Sequence, residues 1–258
     1  LVLSNAQLGA LAAAGTLSIT SYGSIDLFGD TRFGNGALDL TLDAAALLGY
    51  AADGRSSTAI TARSFTFLNS GAVLPAAPPA GAPDGAGAFS VTASTATFGA
   101  GAKAIAGVSA VTVEASGELI VAGAGSLEAA APVALNASRV AVGSKARQSI
   151  EARDSAGSAF HDISFGRPAS GTALGVIEGA GGRLSVVGRR IGVAGDLESP
   201  SGTITLDARG AGVFVEAGGR VGVDSAKLVL SEGVQVPMEA GTVQLRAANG
   251  NVSVAPGG

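Results

Sequence analysis

One phrase recurs along this chain and limits what it can fold into: a Gly or small polar residue, then an alternating run of small, apolar, polar and apolar residues. It reads Gly15-Thr-Leu-Ser-Ile19, Gly23-Ser-Ile-Asp-Leu27, Gly36-Ala-Leu-Asp-Leu40, Gly117-Glu-Leu-Ile-Val121, Gly182-Arg-Leu-Ser-Val186, Gly202-Thr-Ile-Thr-Leu206, Gly219-Arg-Val-Gly-Val223, Gly241-Thr-Val-Gln-Leu245 and Gly250-Asn-Val-Ser-Val254. Alternation with a period of two puts one set of side chains on each face of a strand, and the apolar set has to be buried. Neighbouring runs lie about 8 to 12 residues apart and runs of the same kind recur at about 20, a solenoid rhythm rather than a hairpin one. The two-residue hairpin signals Asn35-Gly36, Asp53-Gly54, Asp84-Gly85 and Asn249-Gly250 are too few for a meander.

The sequence therefore predicts one all-β unit over residues 1–258, a right-handed parallel β-helix. Its stacked coils pair backbone to backbone whatever their side chains. About ten coils give a rod about 45 to 50 Å long at the inter-strand spacing. Inward positions such as Leu17, Ile19, Ile25, Leu27, Leu184, Val186, Ile204, Leu206, Val243 and Leu245 should form ladders of like residues. Composition agrees with a narrow interior: 40 Gly, 47% hydrophobic residues, 4% aromatic, 14% charged and no Trp. Val, Leu, Ile and Ala are expected to fill it rather than aromatic rings.

Three stretches break the rhythm and read as inserted loops. Residues 43–57 contain Ala-Ala-Ala-Leu-Leu-Gly-Tyr, a short helical turn, and then a polar loop. Residues 74–87 carry Pro75, Pro78, Pro79 and Pro83, which remove donors and favour a protruding extended loop. Residues 144–181 mix charges, several Gly and the sole histidine. Leu1 opens the sequence without an initiator Met, a basic n-region or a cleavage pattern, so the chain reads as a segment of something longer. No apolar stretch approaches the ~20 residues that a membrane-spanning helix requires.

The phrases Gly-Ser-Ile-Asp-Leu and Gly-Thr-Ile-Thr-Leu, with Asp26-Leu27-Phe28-Gly29-Asp30 and the run from Ser64 to Gly71, resemble filamentous-haemagglutinin-type adhesins, the exported partners of two-partner secretion systems. The resemblance covers most of the chain as a style of repeat, without the N-terminal secretion domain. It implies export through an outer-membrane transporter and folding outside the cell. It also implies residence in the extracellular space or on the outer-membrane surface, and a role in adhesion, aggregation or toxin delivery. The implied partners are that transporter and a receptor or glycan on a host or neighbouring cell.

The residues themselves supply little chemistry. Net charge is −4 and the 16 Lys and Arg are scattered, which excludes a phosphate-tracking stripe and makes nucleic acid an unexpected partner. With no Cys there is neither a disulfide framework nor a thiolate metal site. His161 precedes Asp162, but neighbours on a strand face opposite ways, so a surface histidine is expected instead of a general base. Gly123-Ala-Gly125 and Gly179-Ala-Gly-Gly182 lack the dinucleotide fingerprint, and no calcium nonapeptide occurs. No cofactor, metal or catalytic residue is assigned.

Asn136-Ala-Ser138 and Asn251-Val-Ser253 are acceptor sequons. Recognition is expected where unlike groups meet outside the repeat, at Lys145, Arg147, Arg153, Phe160, His161 and Arg167. Two other readings stay open. A carbohydrate-active β-helix would gather acids and aromatics on one coil face, with Asp26, Asp39 and Asp43 as starting points. A self-assembling extracellular filament would stack end to end through unpaired coil edges.

Overall fold

A computed structural model describes residues 4–50, 57–71, 73–75, 87–172, 174, 180–229 and 235–256. The expected loop at 74–87 lies almost wholly outside them, as does the second part of the one at 43–57. The chain begins with α1 (Asn5–Ala12), closed by a capping box in which Ser4 and Gln7 satisfy each other's backbone amides. It then winds into strands that pair in parallel across successive turns, forming a parallel β-helix.

The first level holds β1 (Thr16–Thr20), β2 (Ser24–Phe28) and β3 (Thr31–Gly34), one strand for each of three faces. The second holds β4 (Asp39–Asp43), β5 (Ala46–Tyr50) and the start of β6 (Thr58–Leu68). In β6, residues 58–61 pair with β3 and residues 64–68 with β4, so the strand rounds a corner and begins the next level. β7 (Ala88–Phe98), β9 (Ala110–Val121) and β11 (Val133–Val142) round the same corner, while β8 (Gly101–Ala106), β10 (Ala124–Ala129) and β12 (Arg147–Ala152) form the face between them. Beyond β13 (Ile163–Gly166), β14 (Arg183–Val193) and β16 (Thr203–Val215) turn a different corner, interleaved with β15 (Asp196–Glu198) and β17 (Arg220–Gly222). β18 (Lys227–Val229) and β19 (Gln235–Pro237) make a small antiparallel hairpin before β20 (Thr242–Ala247) and β21 (Asn251–Val254) complete the stack.

The first sheet runs β1-β4-β6-β7-β9-β11-β15-β17. The second runs β2-β5-β8-β10-β12-β14-β16-β20. The third runs β3-β6-β7-β9-β11-β13-β14-β16-β21, one strand more than either of the others. There are thus nine levels among the described residues, beside the expected about ten. Between Leu68 and Ala88 the chain adds no described strand to the second sheet, and β5 pairs directly with β8. Between Gly166 and Arg183 it adds none to the first, and β11 pairs directly with β15.

Two expectations about insertions are corrected by the strands themselves. Ala46–Tyr50 is not a helical turn but β5, buried on both faces, because Leu47 points into the solenoid and Ala46 and Leu48 pack with Ala106 on the outside. A run apolar on both faces imitates helical burial in sequence. Residues 144–181 are not a single insertion either, since β12 and β13 within them are regular rungs of the second and third sheets.

The core is aliphatic at most levels: Leu184, Val186, Ile204 and Leu206 are almost wholly buried. Leu17, Ile19, Ile25, Leu27 and Leu245 are only partly buried, since they stand on the end coils. The interior also holds Phe33, Phe65, Phe67, Phe89, Phe98 and Phe165, contrary to the expectation of a core without rings. Phe65, Phe67 and Phe89 belong to the level that lacks a second-sheet strand. Phe33, Phe98 and Phe165 lie in levels where all three sheets contribute a strand, so the interior admits rings whether or not a rung is missing. Lys103 on β8 is buried too, its ammonium donating to the Gly99 and Gly101 carbonyls at 2.6 and 2.7 Å. Gln148 donates to Gly99 and Ala122 at the same corner.

Candidate functional site

The outer face of the second sheet brings acidic, basic and aromatic side chains together beside a cleft. Strand alternation turns Ala104, Glu128 and Glu151 outward at one register position on β8, β10 and β12. The chain then leaves β12 in a tight projection: Arg153 and Phe160 form an isolated antiparallel bridge, and the amides of Asp154 and His161 donate to the carbonyls of Ala159 and Ala152. The Arg153 guanidinium lies 5.4 Å from the Phe160 ring centroid, donates to the Gly157 carbonyl through Nε at 2.7 Å and stands 3.5 Å from Glu151. Asp154 accepts from the Ser158 amide and hydroxyl, both at 2.6 Å, and these bonds hold its carboxyl below the usual range.

Between this projection and the Ala-rich surface of β8 and β10 lies a cleft of about 350 Å³, with Pro75 on its other side. Three carboxylates and one guanidinium line it. The guanidinium is already committed to Gly157, Glu151 and Phe160, so the cleft offers acceptors rather than donors.

Toward the first level, Phe28 and Tyr50 stack with ring centroids 5.0 Å apart. Burial raises the Tyr50 pKa above its ordinary value, and the nearby Asp26 charge adds to this. Asp26 shares this outward face, its carboxylate accepting from Ser24 at 2.6 Å. Asp39 and Asp43 belong to the first sheet instead, where Asp39 pairs with Arg63 and Asp43 accepts from Ser70. The three acids do not converge. Among the described residues no group of three or more His, Asp and Glu is placed to hold a metal ion.

The six residues expected to share an interaction surface fall into three places. Arg153, Phe160 and His161 come together in the projection. Lys145, at φ 57°, lies in the turn after β11, and Arg147 opens β12 in register with Arg183. Arg167 reaches the carbonyl of Gly218 beyond the end of β13. Of the sequons, Asn136 is half-buried in the third sheet between Glu114 and Gly166, and Asn251 is exposed on β21. The Phe28–Tyr50 stack and the Glu128–Glu151 pair were missed in sequence because their partners lie 22 and 23 positions apart, joined only by coil register.

No helix among the described residues is long and apolar enough to cross a membrane. No protein-family model, curated protein or solved structure matches the chain.

Proposed function

We propose that this chain is a structural shaft segment of a large secreted bacterial surface adhesin, serving cell adhesion or aggregation. The observation that carries the reading is the way the solenoid treats its interruptions. Where the chain departs after Leu68 and after Gly166, one sheet loses a rung while the other two continue through that level. A stack of this kind gives reach and rigidity from nearest-neighbour pairing and continues past side projections. Contact belongs to the projections, foremost residues 153–162 with their cation–π pair and adjoining cleft. The resemblance of the repeats to filamentous-haemagglutinin-type adhesins supports the same reading, and with it export through an outer-membrane transporter.

The test is deletion of residues 153–162 or of 74–87 in the parent protein, each bridged by a short Gly-Ser turn, followed by cell adhesion and aggregation assays. Loss of attachment with unchanged thermal unfolding is the expected result. Undiminished attachment in both variants overturns the assignment of contact to these places.

A second reading is favoured by Glu128 and Glu151, which face outward on neighbouring strands as carboxylate pairs do in glycoside-cleaving sites. A carbohydrate-active β-helix would release reducing ends from a polysaccharide panel and lose that activity in Glu128→Gln and Glu151→Gln. A shaft would release none.

A further inference from the structure

On β10, β12, β14 and β16 the outer face of the second sheet is laid out in three columns, each two residues along the strand from the next. The first sets Arg147 beside Arg183. The middle column is Ser126, Ser149, Ser185 and Thr205. The third sets Glu128 beside Glu151 and, two strands further on, carries Asp207. Rungs are about 4.8 Å apart and columns about 7 Å apart. Like charges directly opposed on neighbouring strands are destabilising, yet Arg147 and Arg183 are both exposed and make no ion pair among the described residues. Elsewhere on the solenoid Arg63, Arg139, Arg189 and Arg209 each meet a carboxylate. Glu128 is exposed as well and has no basic partner among the described residues.

A basic and an acidic column equally far from a column of small hydroxyls make this face complementary to itself. Rotation by half a turn about a line along the Ser column, parallel to the solenoid axis, returns that column to itself and lays the arginines over the acids. Arg147 then faces Glu151 of the second copy, with Glu128 of the second copy one rung below. Arg183 stands between Glu151 and Asp207 of the second copy. A twofold axis along the strands would instead set arginine on arginine and acid on acid, so the charges select a parallel pair.

We infer that two copies of this chain pair side by side and parallel through the outer face of the second sheet, about a twofold axis running along Ser126, Ser149 and Ser185. A second copy answers both unpaired columns at once, the basic and the acidic, whereas a singly charged ligand answers one and repels the other. Small side chains on the axis let two sheets approach to about 10 Å, a gap that arginine and glutamate on either flank reach across. The face lies within the stack, with β8 on one side and β20 on the other, so its exposure does not depend on either end of the chain. Four rungs by five residues give about 300 Å² a side, well under the ~800 Å² of a standard stable interface. The pairing is accordingly weak and salt-sensitive. It holds for this chain whatever its projections bind.

Sedimentation equilibrium of the whole chain in low salt, at up to about 1 mM, should show a monomer–dimer equilibrium that weakens as ionic strength rises. Arg147→Glu with Arg183→Glu, and separately Glu128→Arg with Glu151→Arg, should each weaken pairing at least about tenfold. Mixed together, the two reversed variants should pair with each other at least as tightly as the natural chain, because acid then meets base on both flanks of the axis. That recovery also shows that both variants fold. The chain contains no Cys, so Ser149→Cys supplies one thiol on the axis, and a short bismaleimide should join two copies through it. Thr112→Cys, on the third sheet, should not be joined. A natural chain that stays monomeric, association indifferent to either reversal, or reversed variants that ignore each other overturns the proposal. Joining through Thr112→Cys in place of Ser149→Cys overturns it too. A monomer that binds polyglutamate through Arg147 and Arg183 overturns it in favour of an acidic partner.

Discussion

Arg139 and Glu198 stand on adjacent strands of the first sheet although a full level of the solenoid lies between them in the chain, Arg139 Nη1 coming 3.9 Å from Glu198 Oε2. On the neighbouring strand, Glu118 accepts from the same guanidinium, and beyond Glu198 comes Arg220 at 3.1 Å. The face thus carries alternating charge from β9 to β17. Arg139 is only 12% exposed and lies between two carboxylates, so Arg139→Met leaves two partly buried acids without their shared cation. The expected loss is about 1 to 3 kcal/mol. Urea denaturation of the variant beside the natural chain checks it.

Ile204 is wholly buried on β16, flanked by Leu184 on β14 and Val243 on β20. Ile204→Asp places a carboxylate in an aliphatic interior with no partner, and the stack should lose about 4 kcal/mol or more. Val252→Asp, at a position 47% exposed on β21, should cost under about 1 kcal/mol. Thermal unfolding of the two variants side by side is the measurement, and equal melting temperatures would contradict the assigned burial.

Burial lowers the Lys103 ammonium from its ordinary 10.5 to about 8. The folded state therefore holds fewer protons than the unfolded state between those limits, and stability attributable to this group rises with pH across that window. Relative to Lys103→Met, the natural chain should gain about 3 kcal/mol between pH 7 and pH 10.5. Denaturation of both proteins at each pH tests this, and a constant difference would refute the buried-charge account.

Asp39 behaves in the opposite sense. The Arg63 guanidinium and the Ser64 hydroxyl bond to its carboxylate and lower it from 3.8 to about 2. Its contribution is present above the unfolded value and disappears as pH falls through the folded one. Acid titration should show the natural chain losing more stability than Asp39→Asn between pH 4 and pH 2, and parallel curves would count against the pair.

Much of the architecture is legible in the alternation, because inward positions such as Leu184, Ile204 and Leu206 need only a local period of two to be found. Ala46–Tyr50 defeats that reading since both of its faces are covered, so the period vanishes where burial is greatest. The aromatic residues mislead in a different way. Phe65 and Phe67 look like ordinary strand residues, and nothing local in the sequence marks an interior wide enough for rings. Of the expected contact residues, Arg153, Phe160 and His161 are near one another in sequence and are brought together in space by the Arg153–Phe160 bridge. Lys145 and Arg147 stay together at the start of β12, and Arg167 separates from them because β12 and β13 carry the chain along two faces of the solenoid in between.

The unequal sheets have a mechanical consequence. The third sheet carries one strand more than each of the others, and the two omissions fall on different sides at different heights, after β5 on the second sheet and after β11 on the first. Each omission shortens one side by about 4.8 Å while its neighbours keep their pitch, which is a wedge. The axis leans at each wedge toward the side that lost its rung, and the second lean has a different azimuth from the first. A solenoid built this way takes its curvature from where loops are inserted, so a change in loop position redirects every coil stacked above it without any hinge.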